Sequence, residues 1–139
     1  MGNVTLSGSC LCGAVSYEIV GDPGQFWHCH CTRCRKATGT GHASNIIMKP
    51  DTVDWLSGND NLKYFKVPDA ERFATVFCSK CGSLMPRVAP DLSIAVIPAG
   101  SMDSDPGIRP QGRIYQDSRV AWSCDSADLA CYDTYPEQE

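Results

Sequence analysis

A chain of 139 residues, 42% hydrophobic and 20% charged, has the size and composition of one folded domain with its own core, so residues 1–139 are read as a single domain. A net charge of −4 and a pI near 5.3 argue against general nucleic-acid binding, which requires a basic face. No run approaches the roughly 18 apolar residues of a membrane span. The opening Met1-Gly2-Asn3-Val4-Thr5 lacks the basic-then-apolar order of a secretion signal, so no membrane partner and a cytoplasmic address are expected.

The first predicted elements are a turn at Ser9-Cys10-Leu11-Cys12-Gly13 and a strand over 14–20. In that strand Val15, Tyr17 and Ile19 alternate with Ala14, Ser16 and Glu18, the period of a half-buried strand. Gly21-Asp22-Pro23-Gly24 is expected to break it. Phe26 and Trp27 lead into His28-Cys29-His30-Cys31-Thr32-Arg33-Cys34, and Arg35 to Thr38 can add one helical turn. Short β-like runs follow at 43–48, 52–56, 62–66 and 72–77, separated by Lys49-Pro50-Asp51 and Ser57-Gly58-Asn59-Asp60. Cys78-Ser79-Lys80-Cys81-Gly82 forms a second cysteine turn, with strands near 84–88 and 93–97. Prolines and glycines then mark an irregular stretch before 113–115, 120–122 and a polar tail. Many short strands without a sustained 3.6-residue period predict a mainly β domain.

Nine cysteines, an odd number, suit metal binding better than a disulfide framework. Cys10-x-Cys12-Gly13 and Cys78-x-x-Cys81-Gly82 each offer two sulfurs followed by a glycine. A residue just after such a turn often needs positive φ, which glycine adopts cheaply. Together they form a four-cysteine set, the closed arrangement of a structural zinc. Cys29, Cys31 and Cys34 remain for a second ion, two zincs per chain in all. Its fourth position can come from His28, His30, His42, Cys124 or Cys131, or stay open to water or an incoming thiol. An open position defines a catalytic zinc and one from which metal is easily lost; a protein ligand closing it defines a scaffold. Arg33, Arg35 and Lys36 place three cations beside this set, suited to the carboxylates of a peptide-like thiol.

Taken in order, C-x-C-G, C-H-C-x-x-C-R-K and F-C-x-x-C-G-S resemble the glutathione-dependent formaldehyde-activating enzyme family, which includes centromere protein V. The matching residues are 10–15, 29–36 and 77–83, with later pieces at Ala99-Gly100-Ser101-Met102-Asp103, Ile114-Tyr115, Ser118-Arg119 and Trp122. They run from Gly8 to about Asp128. The resemblance implies a mainly β, zinc-pinned fold of the mammalian-suppressor-of-Sec-four type, shared with methionine-R-sulfoxide reductases. It also implies a structural zinc at Cys10, Cys12, Cys78 and Cys81 and a catalytic one at Cys29, Cys31 and Cys34. The implied reaction is carbon–sulfur lyase chemistry, the joining of glutathione and formaldehyde to S-hydroxymethylglutathione.

Two other functions stand beside it. A methionine-R-sulfoxide reductase needs a metal-free nucleophilic cysteine late in the chain, and neither Cys124 nor Cys131 has the expected setting. A non-catalytic zinc-stabilised binding module, acting as a glutathione carrier or a protein-interaction domain, requires both zincs to be structural.

Overall fold

The computed structural model describes residues 2–123 and 129–136. β1 (Val4–Ser9) and β2 (Ser16–Cys29) pair antiparallel across the first cysteine turn. α1 (Thr32–Thr38) follows, then β3 (Ala43–Ser57), β4 (Leu62–Lys66), β5 (Ala74–Cys78), β6 (Leu84–Met85), β7 (Arg87–Val88), β8 (Ala95–Pro98) and β9 (Gly112–Ile114). The larger sheet has the order β1-β2-β3-β8-β7, and β9 lies parallel to the end of β2. β4, β5 and β6 form a smaller antiparallel sheet. The protein is mainly β, as the strand-length runs predict.

β2 and β3 are longer than the sequence suggests. Gly21-Asp22-Pro23-Gly24 and Lys49-Pro50-Asp51 read as breaks, yet both strands continue through them. Each irregular stretch lies against the other, with Gly21 opposite Pro50 and Asp22 opposite Lys49. Pro50 lacks an amide proton, but the register is already shifted there and little pairing is lost. The Asp22 carboxylate accepts from the Gly24 N–H at 3.1 Å and holds the bulge.

That bulge decides which side chains face the core. Tyr17 and Ile19 are buried before it, and Phe26 joins the same cluster after it, so inward-facing positions change from odd to even. Cys29 therefore points away from the main core. It forms its own cluster with Cys34 and Ala43, against Cys31, Phe73 and Ile114. The same strand thus serves the main core with its first half and the central cysteines with its last residue.

The run over 84–88 also divides. Pro86 is buried between β6, which pairs with β5, and β7, which pairs with β8, so a single proline carries the chain from one sheet to the other. The stretch at 120–122 forms no strand and ends in a turn at 121–122. Among the described residues no helix is long and apolar enough to cross a membrane.

The main core contains Leu6, Val15, Tyr17, Ile19, Ile46 and Ile97, all fully buried. Tyr17 packs edge-on against Trp55 at 5.9 Å, and its hydroxyl lies 2.6 Å from Ser101 Oγ. Burial pushes the Tyr17 phenol up to about 12, so it stays neutral. Gly8 makes this packing possible, because a Cβ there would collide with the Tyr17 hydroxyl and the Ser101 carbonyl oxygen. Gly8→Ala is expected to cost about 1–3 kcal/mol through overpacking, read as a lower Tm in thermal denaturation.

Candidate metal centres and active site

The two outer cysteine turns share a backbone design. In the first, the Cys10 N–H donates to the Val15 carbonyl and the Gly13 N–H to the Cys10 carbonyl, both at 3.0 Å. In the second, the Cys78 N–H donates to the Ser83 carbonyl at 3.0 Å and the Gly82 N–H to the Cys78 carbonyl at 2.7 Å. Gly13 and Gly82 occupy φ of 80° and 78°, the region that favours glycine. The turns also meet directly, with the Leu11 N–H donating to Ser83 Oγ at 3.0 Å. Their four sulfurs, from Cys10, Cys12, Cys78 and Cys81, all lie within 4.8 Å of one another. Cys10 Sγ is 3.6 Å from Cys12 Sγ and accepts from the Val15 N–H at 3.2 Å.

Sulfurs so close cannot all ionise without a cation among them. The Ser83 hydroxyl and N–H, then the Cys12 N–H, hold Cys81 down to about 5. The Ala14 N–H pulls Cys12 in the same direction, but burial and the neighbouring sulfurs of Cys10, Cys81 and Cys78 outweigh it and push Cys12 up to about 11. One thiolate therefore forms at the expense of its neighbour. Four soft donors with inward N–H groups are a set that a tetrahedral thiophilic ion fits.

The central set is assembled by an element junction. Cys29 ends β2, Cys31 is the N-cap of α1 with its sulfur accepting the Cys34 N–H at 3.3 Å, and Cys34 lies in the helix. β9 fixes this corner from outside, where the His30 N–H donates to the Ile114 carbonyl at 2.9 Å. The three sulfurs also lie within 4.8 Å of one another. Burial raises Cys34 and Cys29, whereas at Cys31 the Cys34 N–H and neighbouring sulfurs overcome burial and lower it. Again one thiolate is favoured over its partners, and a cation would let all three ionise.

The histidines do not join either set. His28 and His30 alternate with the cysteines and project from the opposite face of the strand. His28 stacks on His42 at 4.0 Å and 16°, and His30 lies 5.1 Å from His42. Burial first, then His42 and Arg113, lower both His28 and His30, and Arg113 lies 3.4 Å from His30 Nε2. Cys131 is exposed and outside both groups, and Cys124 lies outside the described residues. Among the described residues, then, the central set contains three cysteines and no fourth His, Cys, Asp or Glu donor.

A hollow of about 370 Å³ opens onto the central cysteines, lined by Cys29, Cys31, Cys34, Thr32, Arg33, Phe73 and Tyr115. Arg33 is the one predicted cation that borders it. Lys36 lines an adjoining groove, and Arg35 is half-buried and lines neither. A hollow of about 690 Å³ near Cys10 and His42 includes none of the central cysteines. Tyr115 stands in the Ile114-Tyr115 piece of the family resemblance and Phe73 in the β-like run at 72–77, but no spacing ties either to the central cysteines. Tyr115 has a left-handed backbone, φ 54° and ψ 41°, at the start of a short 3-10 turn, and its side chain is 62% exposed. A non-glycine residue held this way beside a reactive site is a functional candidate.

Fold and sites together define a mainly β protein with two cysteine sets, one of four sulfurs and one of three, each able to hold a metal ion. The sequence profile described as "Glutathione-dependent formaldehyde-activating enzyme" matches residues 5–118, and the chain belongs to that family. It is 32% identical over 146 aligned positions to a Halomonas elongata protein named "Putative glutathione-dependent formaldehyde-activating enzyme", covering 96% of this chain and 90% of that one. Its fold is similar to a crystal structure of a Rhodobacter sphaeroides protein, with a TM-score of 0.53 and 18% identity. That match covers 77% of this chain and 98% of the other.

The two sets should respond differently to loss of a sulfur. Cys81→Ser removes a sulfur where two distant turns meet, and if the set holds an ion it is expected to lower Tm by roughly 12 °C or more and to release metal. Cys31→Ser leaves an oxygen that can still cap α1, so the protein should stay folded and lose metal from the central set only. Thermal melts with metal analysis on both variants check this. An unfolded Cys31→Ser protein contradicts the division.

Proposed function

We propose that the protein is a zinc enzyme of carbon–sulfur chemistry, joining formaldehyde and glutathione to S-hydroxymethylglutathione and running the reverse lyase reaction. The observation that carries this reading is the three-cysteine set without a fourth protein donor among the described residues, opening on a hollow bordered by Arg33 and Tyr115. Family membership supports it. In this reading residues 1–139 act as one domain. Cys10, Cys12, Cys78 and Cys81 hold a structural zinc, and Cys29, Cys31 and Cys34 hold the catalytic one. When bound there, zinc supplies a Lewis acid that lowers the pKa of a thiol at the open position.

The chain's own residues then bind and orient. Arg33 at the rim of the hollow, with Lys36 beyond it, receives the carboxylates of glutathione. Phe73 forms an apolar wall that limits water at the reacting atoms. The glutathione sulfur gives up its proton and bonds to the aldehyde carbon, and the carbonyl π pair moves to oxygen. The Tyr115 hydroxyl hands a proton to that oxygen and regains one through solvent from the proton the thiol released, so in sum the thiol proton ends on the new hydroxyl. No redox partner is required, because addition and elimination balance by one proton.

Two experiments test the reading. Exchange NMR on a formaldehyde–glutathione mixture should show faster interconversion with zinc-loaded protein and the uncatalysed rate with Cys31→Ser; equal rates in both samples remove the proposed reaction. Tyr115→Phe should lower kcat about a hundredfold with little change in KM, as expected for loss of a proton donor rather than of a binding contact.

A further inference from the structure

The hollow at the central cysteines adjoins a second depression that formaldehyde chemistry leaves unused. Thr32, Arg33 and Phe73 border both, so the hollow of about 370 Å³ adjoins a groove of about 390 Å³ across these three side chains. The groove is walled by the smaller sheet and closed by α1. Phe65 pairs with Thr75, and the Val67 N–H donates to the Phe73 carbonyl at 3.0 Å, so these four residues share one face of the β4–β5 hairpin. All four line the groove, with Leu84 behind them. Phe65 is 54% exposed and faces no apolar cluster of its own. Cations are confined to the α1 side, where Arg33 and Lys36 stand.

This is an amphipathic groove bordering the hollow that holds the reacting atoms. Its charged edge matches the carboxylates of a peptide-like thiol, and its apolar floor matches a hydrocarbon chain attached to the carbon under attack. Formaldehyde has no such chain and would leave the floor against water. We propose that the site accepts, and prefers, larger apolar aldehydes such as hexanal, whose hydrocarbon chain lies on Phe65, Val67 and Phe73 in the resulting hemithioacetal. The inference rests on the thiol-adduct reading and names its carbon partner. The step balances as before: the sulfur–carbon bond forms, the π pair goes to oxygen, and the thiol proton ends on that oxygen.

The test measures exchange of glutathione with hexanal and with formaldehyde, each rate divided by its own uncatalysed rate, on zinc-loaded protein. The enhancement for hexanal should exceed that for formaldehyde by about tenfold or more, since each methylene seated in an apolar site adds discrimination. The ratio should fall towards one in Val67→Ser and in Phe65→Ser; Phe65 is exposed enough for that variant to fold even if the other does not. In calorimetry, S-hexylglutathione should bind about tenfold or more tighter than S-methylglutathione, and Phe65→Ser should remove the difference. Equal enhancements, equal affinities, or a preference that survives both substitutions would overturn the groove assignment while leaving the thiol-adduct reading in place. No acceleration with either aldehyde overturns that reading, and the inference with it.

Discussion

The close approach of cysteine sulfurs, which can all ionise only with a cation among them, is the constraint around which this architecture is arranged. Two turns far apart in the chain bring four cysteine sulfurs within 4.8 Å, while the Leu11 N–H joins the turns by donating to the Ser83 hydroxyl. Without a cation only part of the set ionises, as the opposite shifts at Cys81 and Cys12 show. With one, every sulfur can be a thiolate, and the first hairpin is tied to the end of β5. An ion closing so long a loop restricts the unfolded chain far more than a local contact would. The meeting of these two turns joins the larger sheet to the smaller one.

The central set follows another logic. Its three sulfurs come from one strand end and one helical turn, so they need no long-range tie to stay together. What places them is the bulge in β2, which exchanges the inward and outward faces of the strand before Cys29. The imidazoles of His28 and His30 then fall on the other face, stacked or tilted against His42 and held neutral by burial. A strand without the bulge would direct Cys29 into the apolar core with Tyr17 and Ile19. The irregularity is therefore part of the site.

Site and groove also illustrate a division of labour between the two sheets. The larger sheet supplies Cys29 and, through β9, the approach to Tyr115, whose left-handed backbone turns its side chain to the hollow. The smaller sheet contributes no cysteine to the central set; it contributes apolar surface through Phe65, Val67 and Phe73. Reactive sulfur and apolar floor thus come from different layers, joined through Pro86 and α1.

Much of this was legible in the amino-acid sequence. The spacings of Cys10/Cys12, Cys78/Cys81 and Cys29/Cys31/Cys34 are local, and ligand geometry over one to three residues depends little on the rest of the fold. The short alternating runs announced a mainly β protein for the same reason, since strand periodicity is a property of neighbours in sequence. Three features were decided only by tertiary structure. β2 and β3 run through Gly21–Gly24 and Pro50 because each irregular stretch meets the other across the sheet, so pairing overrides breakers that act alone. Tyr115 reaches the central hollow through a backbone conformation with no residue signature. The groove exists because the period-two face of the β4–β5 hairpin lies against α1, and no segment taken singly carries the information that those two surfaces meet.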